Sequence, residues 1–297
     1  MSKEVSGKVG PEYDPGPAEI PYRLPWRSSD VRIGAHRSKL EGSGGYFRDF
    51  VPLLRSPDPR RIDLRVSARD PFEGLHVRRF EQKASVSVYA LVDVSASMGF
   101  RGDADKMRLA ADLCTALAAS VRRAGDAFGM IGCDAIVQPD LMFLATRARG
   151  SEIEMLRRLR TFRPTERGSN GLVDAAAVIA GRRKLVFIIS DFYMPRADIE
   201  ATFAALSHHD VIPIILSDSL EMEKLPRWGI LSLADLEVGR RRLVVMRPRL
   251  REAWQRRSGR RRAELNSIAA RFGRQPFEIR DRIDWDRLGA YLVGGHA

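Results

Sequence analysis

The feature that most constrains this chain is a series of short apolar runs separated by helix-length amphipathic segments. Residues 85–92 (SVSVYALV), 184–190 (KLVFIIS) and 211–216 (VIPIIL) have the length and β-branched content of strands buried on both faces. Residues 105–124 (DKMRLAADLCTALAASVRRA) carry apolar side chains at helical spacing, and 151–160, 172–180 and 198–207 read as shorter helices. Two further strands are expected in FGMIGCDAIVQ and DLMFLAT. Parallel strands need long crossovers, so strands alternating with helices imply an α/β fold with a largely parallel sheet flanked by helices. In such sheets ligands bind beyond the carboxyl ends of the strands.

The 297 residues suffice for one large domain or two small ones. Residues 1–25, rich in Pro, Gly and charge, are expected to form a flexible arm. Residues 26–82 read as Gly/Pro-punctuated, β-containing material, 83–217 as the α/β core, and 218–297 as a C-terminal extension. That extension opens with a hairpin in WGILSLADLEVGRRRLVVM. A helix over 249–272 follows, with Leu250, Trp254, Leu265, Ile268 and Phe272 at helical spacing. PFEIR and DWDRLGAYLV read as a last strand and helix. No run reaches membrane-spanning length and no apolar signal segment opens the chain, so a cytoplasmic location is expected. Cys114 and Cys133 lie in apolar contexts and read as buried thiols.

The formal net charge of +12 is uneven: residues 239–262 hold eleven arginines and one acid, Glu252. Such a patch suits a solvated helix face, an acidic protein partner or nucleic acid. Only Trp254 offers a stacking ring within it, and no nucleic-acid motif accompanies it.

The chemistry concentrates where the apolar runs end. Asp93 follows the first, with Ser95 and Ser97 just beyond; Asp191 follows the second. The intervening polar loop 163–171 (RPTERGSNG) supplies Ser169. These are hard oxygen donors, the set that magnesium takes octahedrally with one or two carboxylates and waters. Two carboxylates without a lysine or arginine beside them would repel one another unless a cation sat between them. A strand-ending turn with helix-capping hydroxyls is the plainer reading of Asp93, Ser95 and Ser97 taken alone.

Asp-x-Ser-x-Ser after a buried strand, a hydroxyl in a Gly-containing loop and a later Ser-Asp together resemble the metal-ion-dependent adhesion site of von Willebrand factor A domains. The resemblance implies a divalent ion (Mg2+, Mn2+ or Ca2+) held by Asp93, Ser95, Ser97, Ser169 and Asp191. It also implies an acidic side chain of a partner at the open position. Ser169 stands where that family usually has threonine. SPDPRRIDLRVSAR (56–69), LHVRRFE and LSDSLEMEKLPRWGILSLADLEVG (216–239) resemble the bacterial domain-of-unknown-function family 58. That resemblance implies a von Willebrand A-like domain working with a MoxR-type AAA+ ATPase. The pair would mature, or insert metal into, a client such as a methanol dehydrogenase-type enzyme.

An enzyme is not expected. A haloacid dehalogenase-type phosphotransferase resembles Asp-x-Asp-x-Thr, but position 95 is Ser. His36, His76, His208, His209 and His296 are scattered without zinc or triad spacing, and no phosphate-binding GxxxxGK[ST] occurs. The reading is a non-enzymatic, metal-dependent interaction module. The alternative is a basic nucleic-acid-associated protein in which the oxygen cluster is structural.

Overall fold

The computed structural model describes residues 20–27, 35–100, 102–164, 168, 170–222, 228–235 and 240–294. In chain order its elements are β1 (His36–Pro52), α1 (Leu64–Ser67), β2 (His76–Ala84), β3 (Ser87–Asp93), α2 (Lys106–Arg123), β4 (Ala127–Cys133), β5 (Val137–Thr146), α3 (Ser151–Thr161) and α4 (Gly171–Val178). Then come β6 (Leu185–Ser190), α5 (Arg196–Ala205), β7 (Asp210–Ser217), α6 (Ser219–Met222), β8 (Gly229–Asp235), β9 (Arg240–Met246), α7 (Pro248–Arg271), β10 (Phe277–Arg280) and α8 (Trp285–Gly294).

Six strands form the main sheet in the order β10-β7-β6-β3-β4-β5, parallel throughout except for the antiparallel edge strand β5. Successive side chains of a strand point to opposite faces, so each buried strand feeds two cores. Val88, Ala90 and Val92 of β3 pack with α2, α3 and α8 on one face. Tyr89 and Leu91 pack with α4, α5 and the C-terminal half of α7 on the other. Continuous burial along β3, β4, β6 and β7 follows from this three-layer arrangement. From β3 the chain builds outward through β4 and β5, then crosses back to start β6 on β3's other side. The order therefore reverses between β3 and β6, where crossovers leave on opposite faces and open a crevice.

The helix expected over 105–124 is α2, with Asp105 as N-cap: its carboxylate accepts from the Arg108 N–H at 3.0 Å. Gly171, at the start of α4, sits where a Cβ would lie 2.5 Å from the Ile136 carbonyl carbon, so only glycine allows this approach to the loop after β4. The hairpin expected after residue 228 is present as the antiparallel pair β8–β9. β10 joins the main sheet beside β7, so the C-terminal segment completes the same core.

Two expectations change. Residues 20–25, expected in the flexible arm, are docked. Ile20 is buried and its N–H donates to Ser120 Oγ at 2.6 Å, while Tyr22 donates its hydroxyl to the buried Asp126 carboxylate. Their apolar side chains find a place beside α2 that charge and proline content do not reveal. Residues 1–19 lie outside the described residues. The apolar series of the long helix is buried only at Leu265 and Ile268; Leu250 and Trp254 before them and Phe272 after them are each more than a third exposed. The first half of α7 contributes nothing to the two buried apolar clusters of the described residues. The 26–82 region contains strands, as expected, in the form of the antiparallel pair β1 and β2. Below it Asp63 caps α1 through the Arg65 and Val66 N–H groups and pairs with Arg78 of β2. Asp58 pairs with Arg61 at 2.9 Å, so the basic segment before α1 is partly neutralised locally.

One buried ion pair ties three distant segments. Arg274, between α7 and β10, grips Asp210 at the start of β7 with Nε to Oδ1 at 2.9 Å and Nη2 to Oδ2 at 2.7 Å. The Trp26 indole N–H donates to the same carboxylate at 2.9 Å. Removing one partner of a buried pair leaves an uncompensated charge. Arg274→Met is expected to cost about 3 kcal/mol of unfolding free energy in urea melts, with Asp210→Asn in the same chain recovering part of it. A loss below about 0.5 kcal/mol, the scale of an ordinary surface change, would count against this role.

Candidate functional site

The crevice at the reversal between β3 and β6 is where the sequence-predicted oxygens converge. Val92 pairs with Ile189, so Asp93 comes level with Ser190 and Asp191 lies one residue further out. Ser190 Oγ donates to Asp93 Oδ2 at 2.6 Å, and the Ser95 N–H donates to Asp93 Oδ1 at 2.9 Å. Asp93 is thereby fixed at the floor. Ser95 Oγ lies 3.2 Å from Ser97 Oγ, and Ser97 Oγ donates to Asp191 Oδ1, also at 3.2 Å. Four of the five expected ligands, Asp93, Ser95, Ser97 and Asp191, thus share one mouth. Ser169 lies outside the described residues.

The local backbone is bent to this end. Phe192 adopts φ 53°, a left-handed conformation costly for a side chain with a Cβ. Its ring is buried in the core under α4 and α5, which holds the bend. The Phe192 N–H donates to Ser190 Oγ at 2.8 Å and the Tyr193 N–H to Asp191 Oδ1 at 3.0 Å. Asp134, after β4, receives the Ile136 N–H and the Gln138 amide on its carboxylate, and its carbonyl accepts from the Gly171 N–H. It anchors the start of α4, immediately after the loop that contains Ser169. Asp218, a second Ser-Asp carboxylate, lies beyond β7. It is consumed by the Asp103, Ala104 and Leu220 N–H groups, which pins the loop entering α2.

One expectation is corrected. The carboxylates do have a lysine. Lys106 opens α2 and is wholly buried; its Nζ donates to Asp191 Oδ2 at 2.8 Å and to the Ser97 carbonyl at 3.2 Å. It also lies 5.7 Å from the centre of the Phe100 ring and 5.6 Å from that of Tyr193. Two carboxylates therefore coexist here without requiring an exogenous cation. Burial, reinforced by the Asp191 charge, pushes the Asp93 carboxyl up to about 6.

The remaining donors still fit a small hard ion. The mouth offers two hydroxyls and Asp191 Oδ1 in a row at 3.2 Å spacing. An octahedral shell with metal–oxygen distances of about 2.1 Å has edges of roughly 3 Å. With Lys106 on Oδ2, and Ser97 and the Tyr193 N–H on Oδ1, Asp191 is buried and compensated, so the site carries less negative charge than two unpaired carboxylates. Among the described residues no group of three or more His, Cys, Asp or Glu side chains could hold a metal. His36 and His76 are held by Asp126 and Asp70, and His209 is buried, its ring pulled down to about 4 by that burial. Both cysteines are buried and free, as expected.

The family of this chain follows from comparison with known proteins. Residues 56–264 match the model of "Protein of unknown function DUF58". This chain belongs to the DUF58 family. Relatives in that comparison include an uncharacterized protein of Mycobacterium tuberculosis, 28% identical over 266 residues, covering 86% of this chain and 80% of the relative. An uncharacterized protein in the moxR 3′ region of Paracoccus denitrificans is 39% identical over 101 residues, covering 33% of this chain and 92% of that protein. Similar solved structures include an aerotolerance-related membrane protein from Bacteroides fragilis, 16% identical, TM-score 0.41, covering 71% of this chain and 98% of that one. The VWA domain of SpRpn10 is 11% identical, TM-score 0.36, covering 72% and 100%. This DUF58 chain has an α/β fold with a largely parallel six-stranded sheet flanked by helices.

Two outcomes test the electrostatics. Asp93 holds its proton more tightly folded than unfolded. Its favourable contribution is full below about pH 4 and is lost as pH rises through about 6. In chelator, Asp93→Asn is expected to be more stable than wild type at pH 7, on the order of 2 kcal/mol, with the gap closing towards pH 4. Parallel melts at the two pH values read this directly, and a gap that stays constant with pH would contradict it. Lys106→Met should lose about 3–5 kcal/mol without metal, the cost of orphaning a buried charge. Added magnesium should then raise its melting temperature by more than it raises that of wild type. Equal shifts would mean that Lys106 does not offset the Asp191 charge.

Proposed function

We propose that this DUF58 protein is a non-enzymatic interaction module in which a divalent cation, magnesium first, bridges the site to an acidic side chain of a partner. Asp93, Ser95, Ser97 and Asp191 hold the ion directly or through water, together with Ser169 from the loop before α4. When bound, the ion supplies an open, positively charged position that a carboxylate of the partner fills. The protein's own residues position it. Asp93 anchors the floor, Ser95 and Ser97 present hydroxyls, and Lys106 and the Phe192 bend fix Asp191.

The observation that carries this reading is the contiguous row of Ser95, Ser97 and Asp191 oxygens, spaced at 3.2 Å above Asp93. A reaction is not supported by the same geometry. Asp93 is fully engaged by Ser95 and Ser190, and Asp191 is bonded to Lys106, Ser97 and Tyr193, which leaves neither poised as nucleophile or base.

The partner we propose is a MoxR-type AAA+ ATPase, with which the protein matures or inserts metal into a client, such as a methanol dehydrogenase-type enzyme. Support comes from the relative in the moxR 3′ region of Paracoccus denitrificans. No helix among the described residues is long and apolar enough to cross a membrane.

The test is calorimetric titration of magnesium together with affinity capture from native lysate. Ser95→Ala and Ser97→Ala are the variants of choice, because Asp191→Ala would strand the buried Lys106 charge. Wild type should bind magnesium and retain an AAA+ ATPase, and both should fall at least about tenfold in either variant or in EDTA, the scale of one lost ligand. Identical capture in every lane would sink the metal-dependent reading.

A further inference from the structure

A groove of about 640 Å³ opens directly beside the oxygen site. Asp191 is at one end, the 192–196 turn and α5 form one wall, and α7 forms the other. Its floor is apolar, made by Phe192, Met194, Ile199, Leu265 and Ile268. Its lining is strongly basic. Arg196 and Arg262 already face Glu200 and Glu278. Arg256, Arg257, Arg260 and Arg261 of α7 remain, with Asp191 and Glu264 the acids among the lining residues.

These four side chains are not equivalent. Arg261 is committed to the structure: its Nη2 donates to the Met194 carbonyl at 3.1 Å and its guanidinium lies 4.7 Å from the centre of the Tyr193 ring. Arg256 sits 3.7 Å from the exposed Glu252. Arg257 and Arg260 are exposed, and neither has a hydrogen bond or ion pair among the described residues. Arg256 and Arg260, like Arg257 and Arg261, stand four residues apart on one helix, about 6 Å along its axis. Arg256, Arg257 and Arg260 thus place cationic side chains along an apolar trough, an arrangement complementary to acidic groups.

We infer that this groove receives an amphipathic acidic segment of a partner polypeptide, with carboxylates about one helical turn apart over Arg256, Arg257 and Arg260 and apolar side chains on the floor. The inference rests on the reading above, since the segment would reach the ion-binding oxygens at the Asp191 end. It adds a recognition element that needs no metal. Single-stranded nucleic acid is disfavoured by the same wall: base stacking needs an open aromatic face, and Tyr193 is already covered by Arg261.

The test uses a fluorescein-labelled peptide with leucines at helical spacing and glutamates elsewhere. Controls are the same peptide with glutamines and a labelled oligothymidylate. Anisotropy titrations on the full chain in magnesium should give tighter binding for the glutamate peptide than for either control. Arg257→Glu combined with Arg260→Glu should weaken it at least about tenfold, as loss of close charge pairs does. Both side chains are exposed, so an unchanged thermal melt confirms that the variant is folded. That loss should persist in EDTA and in Ser97→Ala, where any metal-dependent part is gone. If charge reversal matters but EDTA does not, the groove stands and the adhesion-site reading falls. If EDTA abolishes binding while charge reversal changes it less than about twofold, the groove falls and the metal reading stands. Absence of peptide binding, or tighter binding of oligothymidylate, also overturns the inference.

Discussion

A carboxylate at the end of a buried strand has to be compensated, because an ionised group removed from water without a partner costs several kcal/mol. Around that constraint this site is built. Lys106 comes from the first turn of α2, is fully buried, and places its ammonium on Asp191 and on the Ser97 carbonyl at once. The contact joins the loop after β3, the end of β6 and the start of α2. Two aromatic rings, Phe100 and Tyr193, flank the ammonium and shield it from solvent. Asp93, lacking such a cation, is instead saturated by hydrogen bonds from Ser95 and Ser190. One floor thus carries two carboxylates stabilised in different ways, with Ser97 the more exposed of their two hydroxyl neighbours.

The sheet order makes this arrangement possible. With β3 between β6 and β4, and crossovers leaving in opposite directions, the ends of β3 and β6 are not roofed by a connecting helix. The second half of α7 is anchored by Leu265 and Ile268 in the core beneath, while its first half projects its arginines beside the opening. Part of the molecule's basic excess is therefore displayed next to the oxygen site. The intervening Tyr193 ring, in contact with both Lys106 and Arg261, is the physical link between them.

Much of this was legible in the sequence. Apolar runs bounded by polar residues revealed β3, β6 and β7, because strands buried on both faces leave no room for polar substitution. Asp93, Ser95, Ser97 and Asp191 were identifiable by their position just past those runs. Lys106 was not, because its contact with Asp191 spans 85 residues and depends on how α2 is aimed after its loop. Ser190 was read only as the residue before Asp191, and the bond from its hydroxyl to Asp93, 97 residues away, was not legible. Helical periodicity misled over the first half of α7, since a repeat of apolar side chains specifies a stripe but not what covers it. In the N-terminal segment, composition could not disclose the pocket beside α2 that takes Ile20.

The Phe192 bend has a consequence for how such a site changes over evolutionary time. The residue that bends the chain just after Asp191 is also a buried member of the core, held in a left-handed backbone conformation by that burial. Glycine at this position would relieve the backbone but remove the anchor; a polar side chain would bring an unsatisfied group into the interior. Variants at position 192 are therefore screened by folding before they are ever screened by binding. The geometry of the mouth is entrenched by the stability of the domain, whereas the exposed arginines of α7 are free to diversify with whatever they meet.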